Sequence, residues 1–309
     1  GGGSGGGAAA LNGAVPRTLC KRLLKALEDE YGLRFLAASE LEFSVARRGA
    51  RGAWEPACDG PEIFTTLQQT KLASYTYAIE EAMAQVGVDV RTMNCEYGAG
   101  QLEITFAPKL GVAAADAAST YRLGVKELAQ QRGWLATFMS KTFSLDGPGN
   151  GGHFNFSLWR ARTEEDAVPP AAESDSIAAL TAGLVSAMHD GAAPDGLSPT
   201  AKSFLAGVLL HAPAIEAIAS PTPSCYMRHG RWAPTHANHG PDDRLAAVRT
   251  KAYPHSTRGG ATYFELRMAS ASANPYLLIA AIVAAGIDGL RRSLPAPPAR
   301  QSGAEGAAA

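Results

Sequence analysis

The sequence predicts an α+β fold, a curved antiparallel β-sheet with helices packed on its outer side and a wet, acidic concave face. Three observations carry this expectation. Extended segments in separate parts of the chain alternate apolar and polar residues with period two, so each has one apolar face. Their polar faces repeatedly supply Glu, His or Arg, where a solvated sheet surface would show a mixture of Lys, Thr and Ser. Helical apolar patterns lie between them in sufficient number to cover one side.

Composition narrows the function classes. The 309 residues are 46% apolar and 18% charged, with 28 basic against 29 acidic side chains and a net charge of −1. Such a chain buries a real core as one large or two medium domains, and disorder of the whole is excluded. Balanced charge leaves no general footprint for a nucleic-acid partner. The apolar run from Tyr276 to Leu290 is broken by Gly286 and Asp288, so no membrane span is expected. Cys20, Cys58, Cys95 and Cys225 lie far apart, which predicts reduced thiols and a cytoplasmic location, with an organelle as the alternative. The chain opens at Gly1 and its first methionine is Met83, which predicts a fragment or a processed chain.

Taken in order, residues 1–15 and 294–309 read as flexible tails rich in Gly, Ala and Pro, and 16–293 as the folded part. Pro16 opens a helix with apolar Leu19, Leu23, Leu24, Leu27 and Tyr31, closed by Gly32. The strand LRFLAASELEFSV follows and places Glu40 and Glu42 on one face. A helix near Leu72 to Val86 leads to the strands VDVRTMNCEYG and QLEITFA, the latter with Gln101, Glu103 and Thr105 opposite Leu102, Ile104 and Phe106. A helix over Ala113 to Arg132 precedes the strand WLATFMS, and HFNFSLW sets His153, Asn155 and Ser157 against Phe154, Phe156 and Leu158. Helices are expected near Ser174 to His189 and Pro199 to Ala219, then a loop-rich basic stretch from Ser220 to Gly260. The strand TYFELRM presents Tyr263, Glu265 and Arg267 on one face, and Pro275 to Arg292 is a final apolar helix.

Glu40, Glu42, Glu96, Glu103, Glu265 and His153 form a set of hard oxygen donors with one imidazole, which suits Mg²⁺ or Mn²⁺ better than zinc. Any one of these glutamates alone also fits an ordinary solvated side chain. Arg228, Arg244, Arg249 and Arg267 offer forked donors for phosphate or carboxylate, where the plain reading is a surface cation set. The run GPGNGG, Gly147 to Gly152, matches G-x-G-x-x-G in form, but a strand follows it and not a helix, so its glycines are expected to permit close backbone approach. His236 and His239, three apart without a cysteine partner, read as solvated loop histidines. There is no G-x-S-x-G elbow and no Walker lysine loop.

The segments SELEF, EYGAGQLEITF, GNGGHFNFSLW, the loop ending LAAVR, YFELR and ANPYLLIAAIVAAGIDGL occur in an order that closely resembles the catalytic domain of glutamine synthetase, over roughly Pro16 to Leu294. The resemblance implies an ATP-dependent ligase: the γ-carboxylate of glutamate is phosphorylated, and ammonia or a small amine displaces phosphate. By matching position it implies Glu42, Glu96 and Glu103 as ligands of one Mg²⁺ or Mn²⁺ and Glu40, His153 and Glu265 as ligands of a second. Arg228 resembles the arginine for the glutamate carboxylate, Arg244 and Arg249 those facing the transferring phosphate, and Arg267 the one near the reacting carboxylate. Gly149 and Trp232 fall on the substrate side, and Tyr263, Asn155 and Ser157 on the ATP side. A homo-oligomer is implied for the full-length protein.

Departures from the family pattern qualify these expectations. The family completes its site with an N-terminal β-grasp domain of the neighbouring subunit, which these residues do not encode. Trp232 stands where ammonia-using members carry a flap glutamate, a hint toward a larger amine. Asp243 replaces the usual asparagine beside Arg244, and Pro148 an asparagine of the glutamate-binding loop. No adenylylation tyrosine region is recognisable. A degenerate relative with a structural or assembly role is the alternative.

Overall fold

A computed structural model describes residues 13–60, 63–164, 166, 180–252 and 262–300. Helix α1 (Pro16–Tyr31) leads into one long strand, β1 (Leu33–Arg48), and the hairpin partner β2 (Trp54–Pro56). Two helices, α2 (Thr66–Lys71) and α3 (Ala73–Gln85), precede β3 (Val90–Cys95), β4 (Gln101–Phe106) and the short β5 (Lys109–Leu110). Helix α4 (Val112–Gln130), β6 (Leu135–Thr137), β7 (Gly152–Ala161) and β8 (Leu184–Ser186) come next. Then follow α5 (Pro199–Leu210), α6 (Ala212–Ala219), α7 (Pro223–Tyr226), β9 (His239–Pro241), β10 (Val248–Lys251), β11 (Tyr263–Leu266) and α8 (Pro275–Arg291).

All these strands join one sheet in the order β3-β4-β1-β7-β11-β10-β9, with β2, β5 and β6 on β1 and β8 on β7. It is antiparallel except for the parallel pair of β9 and β10. The predicted α+β architecture therefore holds, with that one departure.

The helices lie on the apolar side. Phe35, Phe154, Phe156 and Phe264 of the sheet pack with Phe204 of α5 and Ile279, Ile282 and Val283 of α8. Phe43, Leu102 and Ile104 pack with Tyr75 and Ile79 of α3 and Tyr121 and Val125 of α4. Each such side chain removed from water contributes about 1.5–3 kcal/mol. Helices α5 and α8 cross in direct backbone contact: a Cβ at Gly207 would lie 2.1 Å from Ala285 O and 2.8 Å from Gly289 N.

Four expectations need correction. Of the helix expected from Ser174 to His189, residues 174–179 lie outside the described residues, and Leu184–Ser186 is strand β8, paired as Arg160↔Val185. On that edge of β7, β11 pairs only with Phe154 to Phe156, so the backbone beyond Leu158 needs another partner and β8 supplies it. The helix expected over Pro199 to Ala219 breaks at His211 into α5 and α6, bent by 68°. A proline in the first turn of α6 removes a donor that a continuous helix requires. The stretch from Ser220 to Gly260 carries α7, β9 and β10, with 253–261 outside the described residues. Within the C-terminal segment read as a tail, 294–300 is packed against β9, and 301–309 lie outside the described residues. No single helix among the described residues is long and apolar enough to cross a membrane.

Candidate active site

Register brings the acidic residues together. Glu40 pairs across β1 and β7 with His153, Glu42 pairs across β1 and β4 with Glu103, and Glu265 faces Asn155 on β7 and Arg249 on β10. Because successive side chains alternate faces, these pairings turn all of them to the side opposite the core helices. Glu96 follows β3 directly, its N–H donating to Gln101 O at 3.0 Å.

Carboxylate oxygens of Glu40 and Glu103 and a ring nitrogen of His153 lie within 4.8 Å of one another. His153 Nδ1 is 3.5 Å from Glu40 Oε2 and 3.8 Å from Glu265 Oε1. Glu42 Oε2 accepts from Gly151 N at 2.8 Å and from Gln101 Nε2 at 3.0 Å. Burial, together with the negative charges of Glu42 and Glu103, pushes the Glu96 carboxyl up to about 8. Burial and the charges of Glu40 and Glu42 push Glu103 up to about 7. Partial burial raises the Glu40 carboxyl, but His153, Asn155 and Arg267 outweigh that and hold it below the usual carboxylate value. Crowded carboxylates of this kind, with one imidazole, fit a hard divalent cation.

Arginines close the other side. Arg249 Nη1 lies 3.1 Å from Glu265 Oε2 and its Nη2 3.0 Å from Asp242, while Arg267 pairs with Glu265 Oε1. Among the described residues, Arg249 Nε is buried without a partner, as is Asn155 Oδ1. Both atoms have hydrogen-bonding capacity left for a polar ligand. Arg244 is exposed, and its charge acts on Glu96. Arg228 is buried and donates to Ala269 O at 3.1 Å. The Gly147–Gly152 run lies on it: a Cβ at Gly149 would sit 2.9 Å from Arg228 Cγ, and one at Gly151 2.9 Å from Arg228 Nη2. Close approach is thus the reason for Gly149 and Gly151, and for Gly152, whose Cβ would lie 2.8 Å from Ser270 O, but not for Gly147.

The ATP-side residues behave differently. Asn155 Nδ2 donates to Glu40 Oε1 at 2.8 Å, Ser157 accepts from Trp159 Nε1 at 2.8 Å, and Tyr263 is half-buried at the start of β11. Asn155 and Ser157 here support neighbouring side chains. His239 is no solvated loop residue: it is buried in β9, with Nε2 2.8 Å from Pro297 O.

Trp232 is 60% exposed and stacks on Tyr97, with ring centroids 5.7 Å apart and planes 17° from parallel. Sequence reasoning missed Tyr97. The available signal was an aromatic residue directly after Glu96 in EYGAGQLE.

The family model for the glutamine synthetase catalytic domain matches residues 13–194 and 180–306. The chain belongs to the glutamine synthetase family. Among curated relatives, the gamma-glutamylpolyamine synthetase GlnA3 of Streptomyces coelicolor is 34% identical over 287 residues, 92% of this chain and 56% of that protein. The glutamine synthetase of Methanococcus maripaludis is 32% identical over 283 residues, 91% of this chain and 57% of that protein. The chain therefore spans little more than half the length of these family members. A solved structure described as a GmaS/ADP complex aligns with a TM-score of 0.76 at 26% identity, covering 93% of this chain and 61% of that one. Its fold agrees with the glutamine synthetase architecture of the sheet and its helices.

Proposed function

We propose that this chain is the catalytic part of an ATP-dependent ligase that phosphorylates the γ-carboxylate of glutamate and transfers the glutamyl group to an amine. The observation that carries the reading is the convergence of Glu40, Glu42, Glu103, His153 and Glu265 on one sheet face beside Arg249 and Arg267, with Glu96 at the end of β3 close enough to feel the charges of Glu42 and Glu103. Two Mg²⁺ or Mn²⁺ ions, held by Glu42, Glu96 and Glu103 and by Glu40, His153 and Glu265, would neutralise the phosphates of ATP. Arg228, buried against the glycine run, binds the glutamate carboxylate. Arg244 and Arg249 stabilise charge on the transferring phosphoryl group, the unpartnered Arg249 Nε being free for an oxygen. Arg267 holds Glu265 and stands near the reacting carboxylate. In the second step a neutral amine forms the new C–N bond at the acyl carbon, the C–O bond to phosphate breaks, and the nitrogen gives up one proton to the departing phosphate.

Support for an amine larger than ammonia comes from Trp232 and Tyr97. Their stacked rings offer an exposed π surface beside Glu96, suited to the methylenes or cationic head of an alkylamine. The names of the relatives GlnA3 and the gamma-glutamylethanolamide synthetase GlnA4 of Streptomyces coelicolor, 30% identical over 293 residues, point the same way. The full-length protein, as a homo-oligomer, is to be assayed for phosphate release with ATP, glutamate and ammonium, ethanolamine, putrescine or spermidine. An amine is expected to outperform ammonium, and Trp232→Glu to shift the preference toward ammonium. Ammonium outperforming every amine ends the amine reading, and an absence of phosphate release with every acceptor turns it to a degenerate family member.

A further inference from the structure

The segment after α8 runs along edge strand β9, next to the loop and the strand β10 that carry the phosphate-side arginines. His239 Nε2 lies 2.8 Å from Pro297 O, and Arg300 N donates to His239 O at 2.7 Å. The Arg300 guanidinium forms an ion pair with Asp243 Oδ2, with the two side chains only 13% and 6% exposed. Asp243 Oδ1 accepts from Leu245 N at 2.8 Å. One carboxylate therefore spans Arg244, tied to the residue after it and to the C-terminal segment. The Arg244 carbonyl is held in turn by Arg267 Nε at 2.8 Å. Strand β9, which Arg300 grips through His239, pairs with β10 at Gly240↔Arg249. A Cβ at Gly240 would lie 2.8 Å from Asp243 Cβ and 3.5 Å from Arg300 O, so the three parts meet without spare room.

A buried charge is costly unless it is paired, so Asp243 and Arg300 depend on each other. The neutral asparagine expected at position 243 would offer the guanidinium an acceptor oxygen but no opposite charge. We propose that Arg300 is a positioning residue: its guanidinium, through Asp243, fixes the backbone of Arg244, and residues 294–300, held to edge strand β9 by backbone contacts at His239, act as a strap beside strand β10, which carries Arg249. This rests on the reading above, in which Arg244 and Arg249 face the transferring phosphate.

The test uses the full-length protein and compares Arg300→Gln, Arg300→Lys, Asp243→Asn and the Asp243→Asn/Arg300→Gln double variant, with Arg249→Lys as reference. Arg300→Gln is expected to lower kcat about tenfold while the KM for ATP changes less than about threefold, because misplaced donors are missed mostly in the transition state. Arg300→Lys should recover most of the loss, and the double variant should lose no more than the worse single one, since the pair acts as a unit. Should Arg300→Gln not fold, Arg300→Lys against Asp243→Asn carries the same comparison. Wild-type kcat in Arg300→Gln, or additive losses in the double variant, overturn the proposal while an impaired Arg249→Lys leaves the functional reading standing. Wild-type kcat in Arg249→Lys instead removes the phosphate-side assignment and the proposal with it.

Discussion

Glu42→Gln separates an acidic cation site from a merely polar sheet face. Glu42 faces Glu103 across β1 and β4, and its Oε2 takes hydrogen bonds from Gly151 N at 2.8 Å and Gln101 Nε2 at 3.0 Å. Glutamine keeps the shape and one acceptor oxygen but removes the charge that strengthens both bonds, a loss of about 1–3 kcal/mol. Relief of repulsion on Glu96 acts in the opposite direction. In cation-free buffer the two effects leave the variant within about 2 kcal/mol of wild type. Cation binding changes the comparison. A ligand at about a hundredfold over its dissociation constant stabilises the folded state by about 2.7 kcal/mol. At roughly 2–4 °C per kcal/mol for a large domain, that is a rise in Tm of about 5–10 °C. Thermal unfolding of the full-length protein in EDTA and in Mn²⁺ should show this rise for wild type and little of it for Glu42→Gln, which has lost a ligand carboxylate. An equal Mn²⁺ shift in both proteins, or none in wild type, would refute the reasoning.

Gly207→Ala places a methyl group 2.1 Å from Ala285 O where α5 and α8 touch. The gain in helix propensity, about 1 kcal/mol, is outweighed by overpacking at the upper end of about 1–3 kcal/mol, so the urea midpoint should fall; an unchanged or higher midpoint contradicts the close crossing. His229 sits between two acceptors, Glu216 Oε1 at 3.0 Å and Pro234 O at 2.6 Å, and Glu216 above all holds its pKa above the ordinary histidine value despite partial burial. The folded state therefore favours the imidazolium. Its stabilisation is complete below the unfolded value of about 6.5 and is lost as pH rises through the higher folded value. Urea midpoints measured from about pH 6 to pH 9 should fall more steeply for wild type than for His229→Gln, and identical slopes would count against the pair.

Much of the site is legible in one dimension because a strand repeats every two residues. Glu40 with Glu42, Gln101 with Glu103, and His153 with Asn155 share faces that sequence spacing alone assigns, and the apolar partners at Leu41, Leu102 and Phe154 assign the opposite face to the core. Proline and glycine also punctuate α1 and α8 plainly, since they act on the local backbone. What lies beyond that reach depends on partners distant in the chain. Only strand order sets β1 between β4 and β7, which brings Glu40, Glu103 and His153 together, and places β11 with Glu265 beside β7. Leu184–Ser186 extends as a strand because an edge of β7 is open to it, whatever its own helical pattern. The stacking of Trp232 on Tyr97 and the pairing of Arg300 with Asp243 likewise join residues from separate loops. Periodicity records which way a side chain faces, whereas the free energy that selects its neighbour comes from burial and pairing across the whole fold.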